Sequence, residues 1–317
     1  MHRFENILVG VDLSRRDRLV GRNLNRHALR AYDCALNLAK LSDAHLHFLY
    51  VLEVSVDVQK RIQRDSGLSP TLLDLAEERM QTLIRETREE GVTATGSVVF
   101  GRTWLEITRE VLRGGHDLVM VGTRELGTVK TALLGSIGLQ LLRKCPCPVW
   151  ISKSSTCKDL HSILLANDSS AVGNRAMGMA ASLAELHSSE LQVLHSLGGY
   201  GFPGQPTQMS VEDVVAAKEQ LALRIREAGL KRRARVQLAR DTAFCTAIAD
   251  HIVDYSNELL VLGTESLSGF SRMIKRDRSQ RLLSKVPCSL LAVKPKDFVS
   301  PIALDDFEAP TATIGAA

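Results

Sequence analysis

The chain has 317 residues, a formal net charge of +4, 44% hydrophobic residues and only 4% aromatic ones. That length suits two domains of about 150 residues each, with cores built from Leu, Val, Ile and Ala. The weak positive charge argues against a nucleic-acid binder, whose basic residues should be many and clustered.

No apolar run approaches the roughly 18–20 residues of a membrane span. The opening "MHRFENILVGVD" has no secretory core, because its apolar stretch ends at Asp12. A cytoplasmic protein is expected, with its six cysteines kept as thiols. "CPCP", with Cys145 and Cys147, is too tight for a zinc knuckle and reads as buried strand residues.

In chain order, "ILVGVD" predicts a strand, and "NLNRHALRAYDCALNLAKL" a helix with apolar residues at three- and four-residue steps. "AHLHFLYVLE" follows as a strand and "TLLDLAEERMQTLIRETREEG" as a helix stopped by Gly91. Then come "TGSVVF" (strand), "TWLEITREVLRGG" (helix), "DLVMVGT" (strand), "TALLGSIGLQLLRKC" (helix) and "CPVWISK" (strand). Strands apolar on both faces and separated by helices imply a five-stranded, doubly wound parallel sheet, Rossmann-like in architecture.

The second half repeats the first. "HDLVMVGTRELG" from His116 is echoed by "NELLVLGTESLS" from Asn257, and "LLRKCPCPVWISK" from Leu141 by "LLSKVPCSLLAVK" from Leu282. "NILVGVD", ending at Asp12, is echoed by "SILLAND", ending at Asp168. The pattern predicts one domain over 1–153, a linker over 154–160, a second domain over 161–296, and an acidic then polar tail over 297–317 without a core of its own.

Three glycine-rich stretches compete as phosphate cradles. "GYGFPG", from Gly199 to Gly204, fits a dinucleotide fingerprint by spacing, but Pro203 and Pro206 stand where its helix should open. "GTRELGTVKT" lacks the lysine-hydroxyl pair of a P-loop. The third combines Gly122, at the end of the fourth strand, with Gly135 and Ser136, which open the fourth helix. Helix-start amides lack intrahelical partners and suit an anion. In a 3-2-1-4-5 sheet the first and fourth strands are neighbours where the winding reverses. Asp12 would then share the ligand crevice with these glycines. The competing reading is that Asp12 caps a turn and the glycines only bend the chain.

On these residues the chain resembles the universal stress protein family in its tandem two-domain form, over nearly all of its length. The resemblance implies a fold like that of the adenine nucleotide alpha hydrolases and a site for ATP or another adenine nucleotide such as AMP, with or without Mg²⁺. In its ATP-binding branch the motif is Gly, two residues, Gly, nine residues, then Gly and Ser or Thr. That maps onto Gly122, Glu125, Gly135 and Ser136. Asp12 and Val51 take the base-contacting positions, and Ile137 the one whose amide joins the phosphate contacts. Glu125 departs from the pattern, and a carboxylate about 4 Å from a phosphate would cost on the order of 1–4 kcal/mol. Arg124 and Gly127 are expected to modulate that cost. The second repeat keeps Asp168 and Gly263 but has Ser266, Arg276 and Asp277 at the remaining positions, a degenerate site.

The resemblance also implies pairing through the fifth strands, inside the chain or in a homodimer, and a role in stress tolerance that includes DNA damage. No nucleophile–base pair or metal signature marks an enzyme; slow, incidental ATP hydrolysis stays compatible with the sequence. His45 and His47 read as buried or edge histidines. The basic runs "KRRAR" and "IKRDRSQR" read as solvated helix or loop faces. Two functions therefore stand: a nucleotide-binding stress regulator, or a partner-binding protein that has lost the nucleotide.

Overall fold

A computed structural model describes residues 3–14, 20–21, 24–55, 57–59, 71–123, 135–153, 160–168, 170–196, 211–239, 244–264, 286–304 and 314–315. The chain divides into two compact units: the first contains residues 4–128, 133–158 and 299–317, the second residues 159–298 with two short segments, 1–3 and 129–132.

In the first unit the strands are β1 (Asn6–Gly10), β2 (His45–Leu52), β3 (Ala94–Phe100), β4 (Leu118–Gly122) and β5 (Val149–Ser152). They run in the order β3-β2-β1-β4-β5, with every pairing parallel. Ile7, Leu8 and Val9 in β1 and Leu118, Val119 and Met120 in β4 are wholly buried. Full burial on both faces is why these strands read as unbroken apolar runs. Each such side chain contributes about 1.5–3 kcal/mol through the water it no longer orders.

The helices of this unit are α1 (Arg26–Ser42), α2 (Leu72–Glu89), α3 (Thr103–Gly114) and α4 (Ser136–Lys144). Helix α1 starts because the Asn25 carboxamide accepts from the backbone N–H groups of His27 and Ala28, donors the helix itself cannot pair. Ala28, Ala31, Ala35, Leu38 and Ala39 form its buried stripe, and their small side chains bring its backbone close to the sheet. Helix α2 opens with a capping box between Thr71 and Asp74. Helix α3 ends at Gly115, whose φ of +62° suits the left-handed cap.

The second unit repeats the plan. Its strands are β6 (Ser162–Asn167), β7 (Glu190–Ser196), β8 (Arg235–Ala239), β9 (Leu259–Gly263) and β10 (Ser289–Val293), in the order β10-β9-β6-β7-β8 and parallel throughout. Its helices are α5 (Ala171–His187), α6 (Val211–Glu227) and α7 (Phe244–Tyr255). No helix among the described residues is long and apolar enough to cross a membrane.

The duplication reaches into individual hydrogen bonds. Asp117, before β4, accepts from the backbone N–H groups of Glu5 and Asn6 at 2.6 and 3.2 Å; Glu258, before β9, accepts from those of His161 and Ser162 at 2.6 and 3.3 Å. Arg30 of α1 donates to the Lys153 carbonyl at 3.1 Å, and Arg175 of α5 to the Lys294 carbonyl at 2.7 Å. Each arginine thus ties the first helix of its unit to the residue that follows the fifth strand.

Two sequence expectations need amendment. Cys34 is disulfide-bonded, whereas Cys145, Cys147 and Cys288 are buried free thiols. The C-terminal tail does not simply trail away: Ile314 forms an antiparallel bridge with Gly96 on β3, and Ser300 donates its hydroxyl to the Lys144 carbonyl at 2.8 Å.

Candidate functional site

The sheet order puts β1 beside β4, where the winding reverses, and their carboxyl ends lie together. Asp12 stands two residues beyond the end of β1 and Gly122 is the last residue of β4. Val51 is buried and next to last in β2. Gly135 is the N-cap of α4; behind it, Ser136 is exposed and Ile137 half-buried. Arg124, Glu125 and Gly127 lie outside the described residues, as do Gly199 to Gly204 and, in the second unit, Ser266, Arg276 and Asp277.

Asp12 is held in place by its own loop. One carboxylate oxygen accepts from the Ser14 backbone N–H at 2.9 Å and from the Ser14 hydroxyl at 2.5 Å. Asn25 donates its amide to the Asp12 and Ser14 carbonyls at 3.3 and 3.4 Å while its oxygen caps α1. Asn25 is therefore a positioning residue that motif reading missed. Its only sequence signal was an N-cap residue directly before a periodic helix.

The glycines separate into two kinds. A β-carbon on Gly122 would stand 2.4 Å from the His27 carbonyl oxygen, in the first turn of α1. Gly263 meets the same obstacle, since its β-carbon would come within 2.8–2.9 Å of the Val172 and Gly173 backbone in α5. Contact with a helix therefore gives both glycines a packing reason. Gly135 has no such neighbour: an added β-carbon there would meet open space. Its φ of −64° suits any residue, and no side chain among the described residues caps the helix start behind it. First-turn amides of α4 have no intrahelical acceptor and are the donors an anion could use.

Beside Gly122, Thr123 is 3% exposed, and its hydroxyl has no hydrogen-bond partner among the described residues. Its counterpart Thr264 donates to the Val293 carbonyl at 2.9 Å. A buried hydroxyl left without a partner costs about 1–3 kcal/mol, a cost that a polar ligand can remove.

The second crevice is arranged differently. Asp168 accepts from the Ser170 N–H and hydroxyl at 3.1 and 2.6 Å. Its carboxylate also lies against the first turn of α5, 2.5 Å from where Gly173 would carry a β-carbon. The matching residue of α1 is the buried Ala28. Next to Asp168, the buried Asn167 bonds His195 at 2.9 Å, where the first unit has Val11 and Tyr50.

A further polar centre lies at the opposite, amino end of the first sheet. His47 of β2 and His116 before β4 each place Nε2 at 3.8 and 3.7 Å from the same Glu110 oxygen, with ring centroids 5.4 Å apart. Asn6 bonds the other His116 nitrogen at 3.0 Å, and Thr95 bonds both His45 and His47 at 2.8–2.9 Å. Burial pushes His47 down to about 4, and His116 holds the Glu110 carboxyl below the ordinary carboxylate range. The second unit fills this place with amides, a hydroxyl and an imidazole, and no carboxylate among the described residues. Asn257 donates to Ser162 at 2.7 Å and to Gln192 at 3.4 Å, and His251 bonds the Asn257 oxygen at 3.1 Å. Among the described residues no group of three His, Cys, Asp or Glu side chains could hold a metal ion.

Comparison with known proteins fits this geometry. The model of the universal stress protein family matches twice, over residues 3–153 and 160–294. Universal stress protein E of Escherichia coli K12 is 25% identical over 228 residues, covering 65% of this chain and 70% of its own. That of Photorhabdus laumondii is 23% identical over 323 aligned positions, covering 95% of this chain and 98% of its own. A crystal structure of a universal stress protein from Archaeoglobus fulgidus superposes with a TM-score of 0.69 at 18% identity, covering 91% of this chain and 98% of the other.

Proposed function

The chain belongs to the universal stress protein family, and from that premise we propose that its first domain binds an adenine nucleotide, ATP or AMP, while its second domain keeps the scaffold without the cradle. In this reading Asp12 and Val51 receive the base and ribose. Gly122 lets α1 close against β4, which shapes the crevice. Gly135, Ser136 and Ile137 present the phosphate-binding amides of α4. Mg²⁺ would enter with the phosphates and not through a protein cage. Glu125 weakens the site and Arg124 partly offsets it. The protein acts in the cytoplasm by binding, not by turnover, and signals nucleotide status to partners under stress, DNA damage included.

One observation carries this reading. Gly135 is a glycine with open space where a β-carbon would stand, at the start of a helix that no side chain among the described residues caps. The test is calorimetric titration of the full chain and its Glu125→Gly variant with ATP, ADP and AMP. The expected result is weak binding by the wild type and at least tenfold tighter binding by the variant. If neither protein binds any of the three, the nucleotide reading fails and the partner-binding alternative takes its place.

A further inference from the structure

The edge of β3 carries an occupant that the nucleotide reading does not use. Gly96 donates its N–H to the Ile314 carbonyl at 3.0 Å, and Ile314 returns its own N–H to the Gly96 carbonyl at 2.8 Å. Arg88 clamps both partners: its guanidinium donates to the Ala94 carbonyl at 3.2 and 2.9 Å and also to the Gly315 carbonyl. A groove walled by Ile84, Arg85 and Arg88 of α2 runs beside this contact, with Ile314 and Gly315 in its lining.

Gly315 is at φ +84°, and a β-carbon there would come within 3.1 Å of the Arg88 guanidinium and 3.4 Å of Ile84. The position therefore selects glycine by both conformation and space. Strand β3 itself, "ATGSVVF", has no charged residue and no proline, the devices that normally keep an edge from pairing. Edge strand β8 of the second unit differs, carrying Arg235 paired with Glu190 at 3.5 Å.

We propose that the β3 edge is a strand-addition site for an extended peptide with an aliphatic residue followed by glycine. The chain's own C-terminal residues Ile314 and Gly315 occupy it in cis. When that segment is unseated, the same segment from a second copy of the chain takes the site. Backbone hydrogen bonds supply the affinity, and the Arg88 clamp with the glycine position supplies the selectivity. Because the tail is tethered, it competes at an effective concentration of roughly millimolar, so a free peptide is excluded until the tail leaves.

The test uses the full-length chain and its Gly315→Val variant, whose tail cannot adopt the bound conformation. A fluorescent peptide of residues 309–317 is titrated against each by anisotropy, with circular dichroism confirming the fold. The variant should bind the peptide saturably and at least tenfold more tightly than the wild type. Adding Arg88→Ala to the variant, or Ile314→Pro to the peptide, should weaken that binding by at least fivefold. Equal binding to wild type and Gly315→Val, or binding to neither, would overturn the proposal. So would binding that is indifferent to Arg88 and to the Ile314 N–H.

Discussion

The two domains share a scaffold down to single hydrogen bonds and differ at both ends of their sheets. Asp117 and Glu258 staple the same strand starts, Arg30 and Arg175 hold the same strand ends, and Gly122 and Gly263 admit the same helix backbone. At the carboxyl end, the Asp168 carboxylate lies against its own helix at Gly173, a position that is Ala28 in the first domain. At the amino end, the first domain buries two imidazoles against a carboxylate where the second has amides, a hydroxyl and the imidazole of His251. A motif residue retained in both domains can thus owe its place to the fold, as Gly122 and Gly263 do.

The largest expected effect strikes what the domains share. Gly122→Ala should destabilise the protein by about 3 kcal/mol or more, because the new carbon meets backbone that cannot move cheaply. Gly263→Ala, with its looser contact, should cost about 1–3 kcal/mol. Urea denaturation followed by circular dichroism measures both. A Gly122→Ala protein with an unchanged midpoint would break the packing account.

The next effect separates the domains by pH. His47 titrates at about 4 in the fold against 6.5 when exposed. Between those values the unfolded chain therefore holds the extra proton, and stability falls as pH drops from 6.5 to 4, levelling off below. The loss is on the order of 3 kcal/mol. Glu110, whose carboxyl is held low, loses its own contribution at the acid end of the same range. His47→Gln copies the second domain's Gln192 and should flatten the pH–stability curve there. It leaves a residual slope from His187, which burial also lowers to about 4. An unchanged slope would show that the cluster does not govern acid sensitivity.

Smaller effects test the caps. Asn25→Ala should cost about 1–2 kcal/mol and Ser170→Ala about 1 kcal/mol. Asn25 is the more costly to lose because its amide makes two further bonds, to the Asp12 and Ser14 carbonyls, against the one Ser170 makes to Asp168. Thermal melts that rank the two in the opposite order would undo its assignment as the residue that positions Asp12.

Much of the fold was legible because strand burial and helix periodicity are local signals. The repeats, the five-stranded parallel sheets and the adjacency of β1 and β4 all follow from them. Strand ends were read less sharply: "NILVGVD" runs to Asp12, but pairing stops at Gly10 and the last two residues form the turn that Ser14 and Asn25 organise. The reason for Gly122 was not legible, since it lies in the His27 carbonyl, far away in sequence and brought near by the small-residue face of α1. The Glu110 cluster escaped for the same reason, because three elements meet there and none carries a motif. "TATIGAA" looked like a featureless tail because two backbone bonds and one arginine hold it, and neither leaves a periodic trace.

The central claim is that Gly122 serves packing and Gly135 serves binding. Its most direct test titrates ATP into Glu125→Gly and into the double variant Glu125→Gly, Gly135→Val, with urea unfolding measured alongside. The account predicts tight binding by the single variant, at least tenfold loss in the double variant, and stabilities within about 1 kcal/mol of each other, as expected for a side chain added to open space at an N-cap. A double variant that binds ATP as well as the single one would contradict it.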